Sequence, residues 1–243
     1  MKLYPYLSLL FLTPSLVLAN QVTFLSDTWC PYTCEPESSK PGILVEVVDT
    51  IFAGTEYKAD LQLVNWARAI KAVRAGKADA LLGAYVGDAP DFVFHKTPVM
   101  YSQMCFFIAQ SDDWIYQGYP SLNERSLSVV NGYSYGESFD EFIATHPENI
   151  VNLAGNELIE RHSLMLAKKR INTIVEDRNV FQPQLASGLF KSAGCLAEEG
   201  MYIAFSPADL ARSQSLIETL DLGINKLKSE GRIEQIIKKY YQN

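Results

Sequence analysis

Three groups of residues in this chain could do chemistry. Trp29-Cys30-Pro31-Tyr32-Thr33-Cys34 sets two thiols beside aromatic rings, and Glu176 and Asp177, with His95, offer groups for proton transfer. The third group, Trp66, Arg68 and Tyr85, combines flat apolar surface with a planar cation suited to carboxylate. Thiol redox exchange is disfavoured because three residues, rather than two, separate Cys30 from Cys34. His95, His146 and His162 show no zinc-ligand spacing with the cysteines. Nothing sets a base beside a nucleophile, and no Gly-x-Ser-x-Gly, phosphate loop or metal motif occurs. Binding by aromatic walls and a few polar groups is the chemistry these residues suit best, and no cofactor is expected.

The elements that must position them begin around Asn65. Trp66, Ala69, Ile70 and Val73 recur at helical spacing, with Asn65 as the expected cap and Gly76 as the stop. Short apolar runs flank this helix, Leu61–Val64 before it and Ala78–Leu82 after it, which predicts a parallel strand-helix-strand unit. Ligands approach such units at the carboxyl ends of the strands, where helix N-termini also point. Trp66, Arg68 and Tyr85 are therefore expected on one rim.

Upstream, Val22–Leu25 reads as a strand and Leu44, Val47, Val48 and Ile51 as the stripe of a helix opened by Pro41-Gly42. Downstream, Tyr101–Ala109 reads as a long strand. A second copy of the pattern follows: strand Leu127–Val130, turn Asn131–Gly136, a helix marked by Phe139, Phe142 and Ile143, a helix from Leu158 to Arg170, and strand Ile171–Val175. Met201–Phe205 is a returning strand, and two helical patterns close the chain, through Leu216, Leu220, Ile224 and Leu227 and then Ile233, Ile236, Ile237 and Tyr240.

Residues 1–19 read as a cleaved secretory signal, with Lys2 in front, an apolar run from Leu7 to Leu18 that Pro14 interrupts, and Val17-Leu18-Ala19 at the cleavage site. The run is shorter than the ~20 residues a membrane span needs. Four cysteines in an exported chain favour disulfides. Cys30 and Cys34 are close enough to close a small loop, leaving Cys105 and Cys195 as the other pair. A formal charge of −7 argues against nucleic acid as partner.

The order of aromatic residue, helix, Gly76-Lys77-Ala78-Asp79, apolar strand and then Phe94-His95-Lys96-Thr97-Pro98 resembles the periplasmic solute-binding proteins of ABC transporters, in the branch for polar amino acids. The resemblance covers Asn20 to Tyr240. It implies two similar α/β lobes joined by crossing hinge strands, with a ligand cleft between them: residues 20–104 with 197–243 as lobe 1, and 105–196 as lobe 2. It also implies that Trp29 lines the cleft, that the turn carrying Tyr133, Ser134 and Tyr135 faces it, and that Asp177 takes the position of the family's amine-binding Asp. The family's carboxylate-binding Arg is missing, since its place reads Asp88-Ala89-Pro90-Asp91; Arg68 is expected to supply that charge.

The expected protein is a periplasmic monomer without turnover that captures a small polar or charged solute and delivers it to an ABC-type permease. The alternatives are a sensing module for a membrane receptor and, on the same fold, a dehydratase-like enzyme.

Overall fold

The computed structural model describes residues 20–241. The expected signal segment, 1–19, lies outside the described residues.

The first half runs β1 (Asn20–Ser26), α1 (Ile43–Phe52), β2 (Tyr57–Leu63), α2 (Trp66–Arg74) and β3 (Ala80–Ala84). β1 lies between β2 and β3 and is parallel to both. The second half repeats this order with β6 (Leu127–Val130), α3 (Glu137–Thr145), β7 (Ile150–Leu153), α4 (Leu158–Ala167) and β8 (Thr173–Asp177), and β6 is parallel to β7 and β8. With β5 (Met100–Ala109) and β9 (Phe190–Phe205), the full order is β2-β1-β3-β9-β5-β8-β6-β7, and the short β4 (Val93–Phe94) is also on β9. These are the two similar lobes that the sequence predicts.

Two long strands join them. β5 (Met100–Ala109) and β9 (Phe190–Phe205) are antiparallel to each other; the far end of β9 pairs with β3, while β5 pairs with β8. Cys105 stands opposite Cys195 in this ladder and is bonded to it, so a disulfide ties the two crossing strands. The second disulfide joins Cys30 to Cys34 in the loop after β1.

Local chemistry explains how the first lobe closes. α1 starts after Gly42, whose backbone has φ 131° and whose added Cβ would lie 2.9 Å from the Thr33 Cα, so only glycine fits beside the Trp29–Cys34 loop. α6 (Leu210–Ser229) buries Leu216, Leu220, Ile224 and Leu227, and α7 (Arg232–Tyr241) returns to α1. There the Tyr240 hydroxyl accepts from Gly42 N at 2.8 Å and donates to Glu46 Oε1 at 2.6 Å.

Some local expectations are corrected. Asn65 precedes α2, but its side chain makes no capping hydrogen bond. The helix expected up to Arg170 ends at Ala167, because Lys169 takes a left-handed backbone with φ 54°. The returning strand begins eleven residues before Met201, at Phe190, and a helix not expected, α5 (Arg178–Leu185), follows β8 directly.

Candidate functional site

Each lobe presents the carboxyl ends of its parallel strands to the other. From the end of β1 come Ser26, Asp27 and Trp29; from β3 come Gly83, Tyr85 and Asp88; from α2 comes Trp66; and from the turn after β6 comes Tyr133. These residues line a narrow, partly open space. The rings stand nearly edge to face: Trp66 and Tyr133 at 5.9 Å, Trp29 and Tyr133 at 6.2 Å, and Trp29 and Tyr85 at 6.2 Å between centroids. A smaller space beside it is bounded by Tyr85, Ser102, Tyr135 and Glu199.

Hydrogen bonds cross between the lobes here, among them one from Asn179 Nδ2 to the Tyr32 hydroxyl at 2.8 Å. The Tyr133 hydroxyl donates to Asp27 Oδ2 at 2.7 Å and Ser134 N to Asp88 Oδ1 at 2.7 Å. The Trp29 indole N–H donates to Glu176 Oε1 at 3.0 Å, and the Tyr32 hydroxyl to Asp177 Oδ1 at 2.9 Å. Trp66 Nε1 and Tyr85 N also donate to Asp88, at 3.3 and 2.7 Å, and the Tyr85 hydroxyl is bonded to Ser102.

The carboxylates are under electrostatic load. Burial pushes Glu176 up to about 8, opposed by the donors Trp29 and Asp177 N, and neighbouring Asp177 and Asp27 add to the rise. Burial likewise raises Asp27 to about 6 and Asp88 to about 7. Among the described residues, none of the three takes part in an ion pair with Lys or Arg.

Of the eight residues expected in a cleft, Trp29, Trp66, Tyr85 and Tyr133 share the main space. Tyr135 borders the smaller one, and Ser134 meets the opposite lobe through its backbone. Asp177 is placed differently. Its side chain is wholly buried and already accepts from Tyr32, Asn179 N and Val180 N on Oδ1 and from Gln103 N on Oδ2, so it caps α5 and anchors Tyr32. Arg68 does not join the others: it is exposed and borders an outer groove with Lys77 and Asn156. His95, considered for acid–base work, is neutral and committed, its Nε2 accepting from Ile203 N at 3.0 Å and its pKa held down to about 4 by burial.

Sequence reasoning passed over Ser26 and Asp27, left Tyr32 between cleft and core, and met Asp88 only as a missing arginine. Asp27 follows β1 directly, so the strand-end rule that selects Tyr85 could have found it.

The profile of the bacterial extracellular solute-binding proteins, family 3, matches residues 22–243. The chain belongs to this family. Among curated proteins, none is similar enough in sequence to be matched. Among solved structures, this family member superposes on a histidine kinase sensor domain with similarity to periplasmic binding proteins, with TM-score 0.76 and 15% identity over 93% of this chain and 97% of that one. It is similar to an ancestral arginine-binding protein bound to arginine, with TM-score 0.75 and 15% identity over 92% and 99% of the two chains. It also resembles an amino acid ABC transporter substrate-binding protein from Streptococcus pneumoniae bound to L-arginine, with TM-score 0.73 and 16% identity over 91% and 94%. At such identities these likenesses establish the two-lobed fold of the family member, which carries, among the described residues, no helix long and apolar enough to cross a membrane.

Close approach between the lobes leads to a test of closure. A Cβ built on Gly87 would collide with the Ser134 Oγ and lie 3.0 Å from its Cβ, while that Oγ is held by Asp140 Oδ2 at 2.6 Å. Gly87→Ala should therefore cost the closed form ~1–3 kcal/mol, roughly a tenfold or greater shift toward open, without unfolding either lobe. Solution scattering should report a larger radius of gyration than the parent at unchanged helix content. An unchanged radius would mean that the lobes are not separated by this contact.

Proposed function

We propose that this chain is an exported, periplasmic binding protein that closes two lobes, 20–104 with 197–243 and 105–196, on a small polar or charged solute and delivers it to an ABC-type permease. It acts as a monomer and without turnover. One observation carries the reading: an aromatic-walled space at the strand ends of both lobes, spanned by hydrogen bonds whose partners a solute can take over. The Tyr133 hydroxyl donates to Asp27, a bond whose acceptor a solute can share. Trp29, Trp66, Tyr85 and Tyr133, with Asp27 and Asp88, are the proposed ligand contacts.

A thermal-shift screen against amino acids, amines, organic acids and sugars tests this, because a solute that binds only the folded state raises the melting temperature. A hit that the purified protein does not consume supports the reading; steady consumption replaces it with an enzyme. The fold shared with a histidine kinase sensor domain favours a second reading, a sensing module docked on a membrane receptor. Gene neighbourhood separates the two: a permease and ATPase beside the gene for delivery, a sensor kinase for sensing.

A further inference from the structure

We propose that the cleft takes an organic cation carrying no carboxylate, an amine or a guanidine, seated among the faces of Trp29, Trp66 and Tyr85 with its charge on Asp27 and Asp88. This rests on the reading of the chain as a solute-binding protein and goes further by fixing the charge of the solute.

The charge count around the space runs one way. Asp27 and Asp88 border it, and Glu176 reaches it through the indole of Trp29. Asp27 is 8% exposed and Glu176 2%, yet Asp27 Oδ1 and Glu176 Oε2 accept a hydrogen bond from no other described residue. Among the described residues, neither carboxylate is paired with a Lys or Arg. Their raised pKa values are what burial without a counter-charge produces, and a bound cation would supply that charge.

The walls suit the same chemistry. Rings set at steep angles to one another, 75° between Trp29 and Tyr133 and 81° between Trp66 and Tyr133, offer several faces to one small volume, and an aromatic face attracts cations. Asp27 also borders an adjoining polar space lined by Glu35 and Glu157, which adds negative charge beside the site.

A solute carboxylate has no partner here. An amino acid brings a negative group for which a protein needs Arg, Lys or a set of free N–H donors. Arg68 is exposed and outside the space, whose lining residues include no Lys or Arg. Ser134 N, a donor at this rim, is already spent on Asp88. An α-amino acid would set its carboxylate against three acidic side chains in a desolvated cleft.

Matched pairs that differ only by the carboxylate test this directly. Calorimetric titration of the full chain at pH 8.5 with agmatine against arginine, and with cadaverine against lysine, should show each amine binding at least about 100-fold tighter than its amino acid. Tetramethylammonium should also bind. Asp27→Asn, which can still accept from Tyr133, should weaken amine binding by about tenfold or more without lowering the melting temperature of the ligand-free protein. Arginine binding as tightly as agmatine, or Asp27→Asn binding amines as the parent does, overturns the proposal. If no amine binds while a sugar or an organic acid does, the charge assignment falls and the solute-binding reading stands. If nothing in the panel binds, both fall.

Discussion

With Cys105 and Cys195 both replaced by alanine, the protein should lose about 4–5 kcal/mol of stability, the value that chain entropy gives for a cross-link spanning 90 residues. For a chain of this size that lowers the melting temperature by roughly 10 °C or more. The bond closes a loop containing nearly all of the second lobe and joins the two strands on which the lobes meet. The Cys30–Cys34 bond spans only 4 residues, and the same relation assigns it about 2 kcal/mol. Its effect should fall on the site instead. Trp29 and Tyr32 flank or lie within that small loop, and both reach across to the second lobe, at Glu176 and Asp177. The double alanine variant at 30 and 34 should thus lose more ligand affinity, and less melting temperature, than the variant at 105 and 195. Calorimetry with thermal melts on both decides this, and the reverse ranking would refute the division of labour.

Most of the architecture was legible because burial writes periodicity into the chain. The stripe Trp66, Ala69, Ile70 and Val73 predicts α2 and its buried face, and all four residues are buried. The same stripe also shows why Arg68 lies outside. Two residues beyond Trp66 on a helix turning about 100° per residue is the opposite side, so a position on the right rim did not bring its side chain into the cleft. Asp177 shows a different limit. Its carboxylate turns forward to cap α5, and that helix left little trace in sequence, being 8 residues long and holding Pro183 and two glutamines. β9 was seen only from Met201 because its middle, around Ala197 and Glu198, is exposed where it crosses between lobes; backbone pairing with β5 sustains it there. Pairing of that kind leaves no hydropathic pattern.

Between about pH 6.5 and pH 8.5 the ligand-free protein should lose on the order of 2 kcal/mol, a fall of roughly 4–8 °C in melting temperature. Glu176 carries most of this. Its pKa is about 8 in the folded protein against 4.5 for the free group, so the folded state holds a proton that the unfolded chain has released. The associated stability is complete below the unfolded value and is lost as pH rises through the folded value. Asp88, at about 7, adds to the fall, and Asp27, at about 6, has nearly finished titrating. Trp29 and the backbone of Asp177 face Glu176 as donors, Asp177 and Asp27 as like charges, and among the described residues no Lys or Arg is paired with it. Below about pH 6.5 the direction is opposed by His95 and His162, each held down to about 4 by burial, whose contribution is lost as pH falls. The profile should therefore level off on the acid side and descend on the alkaline side. Glu176→Gln keeps an acceptor for the Trp29 indole and has no proton to lose, so its melting temperature should stay nearly flat where the parent's falls. A parent profile that is flat or rising, or a variant that falls as steeply, would contradict this account. An organic cation in the cleft favours the ionised carboxylates, so saturating agmatine should flatten the parent's profile as well, and its affinity should tighten as pH rises across the same range.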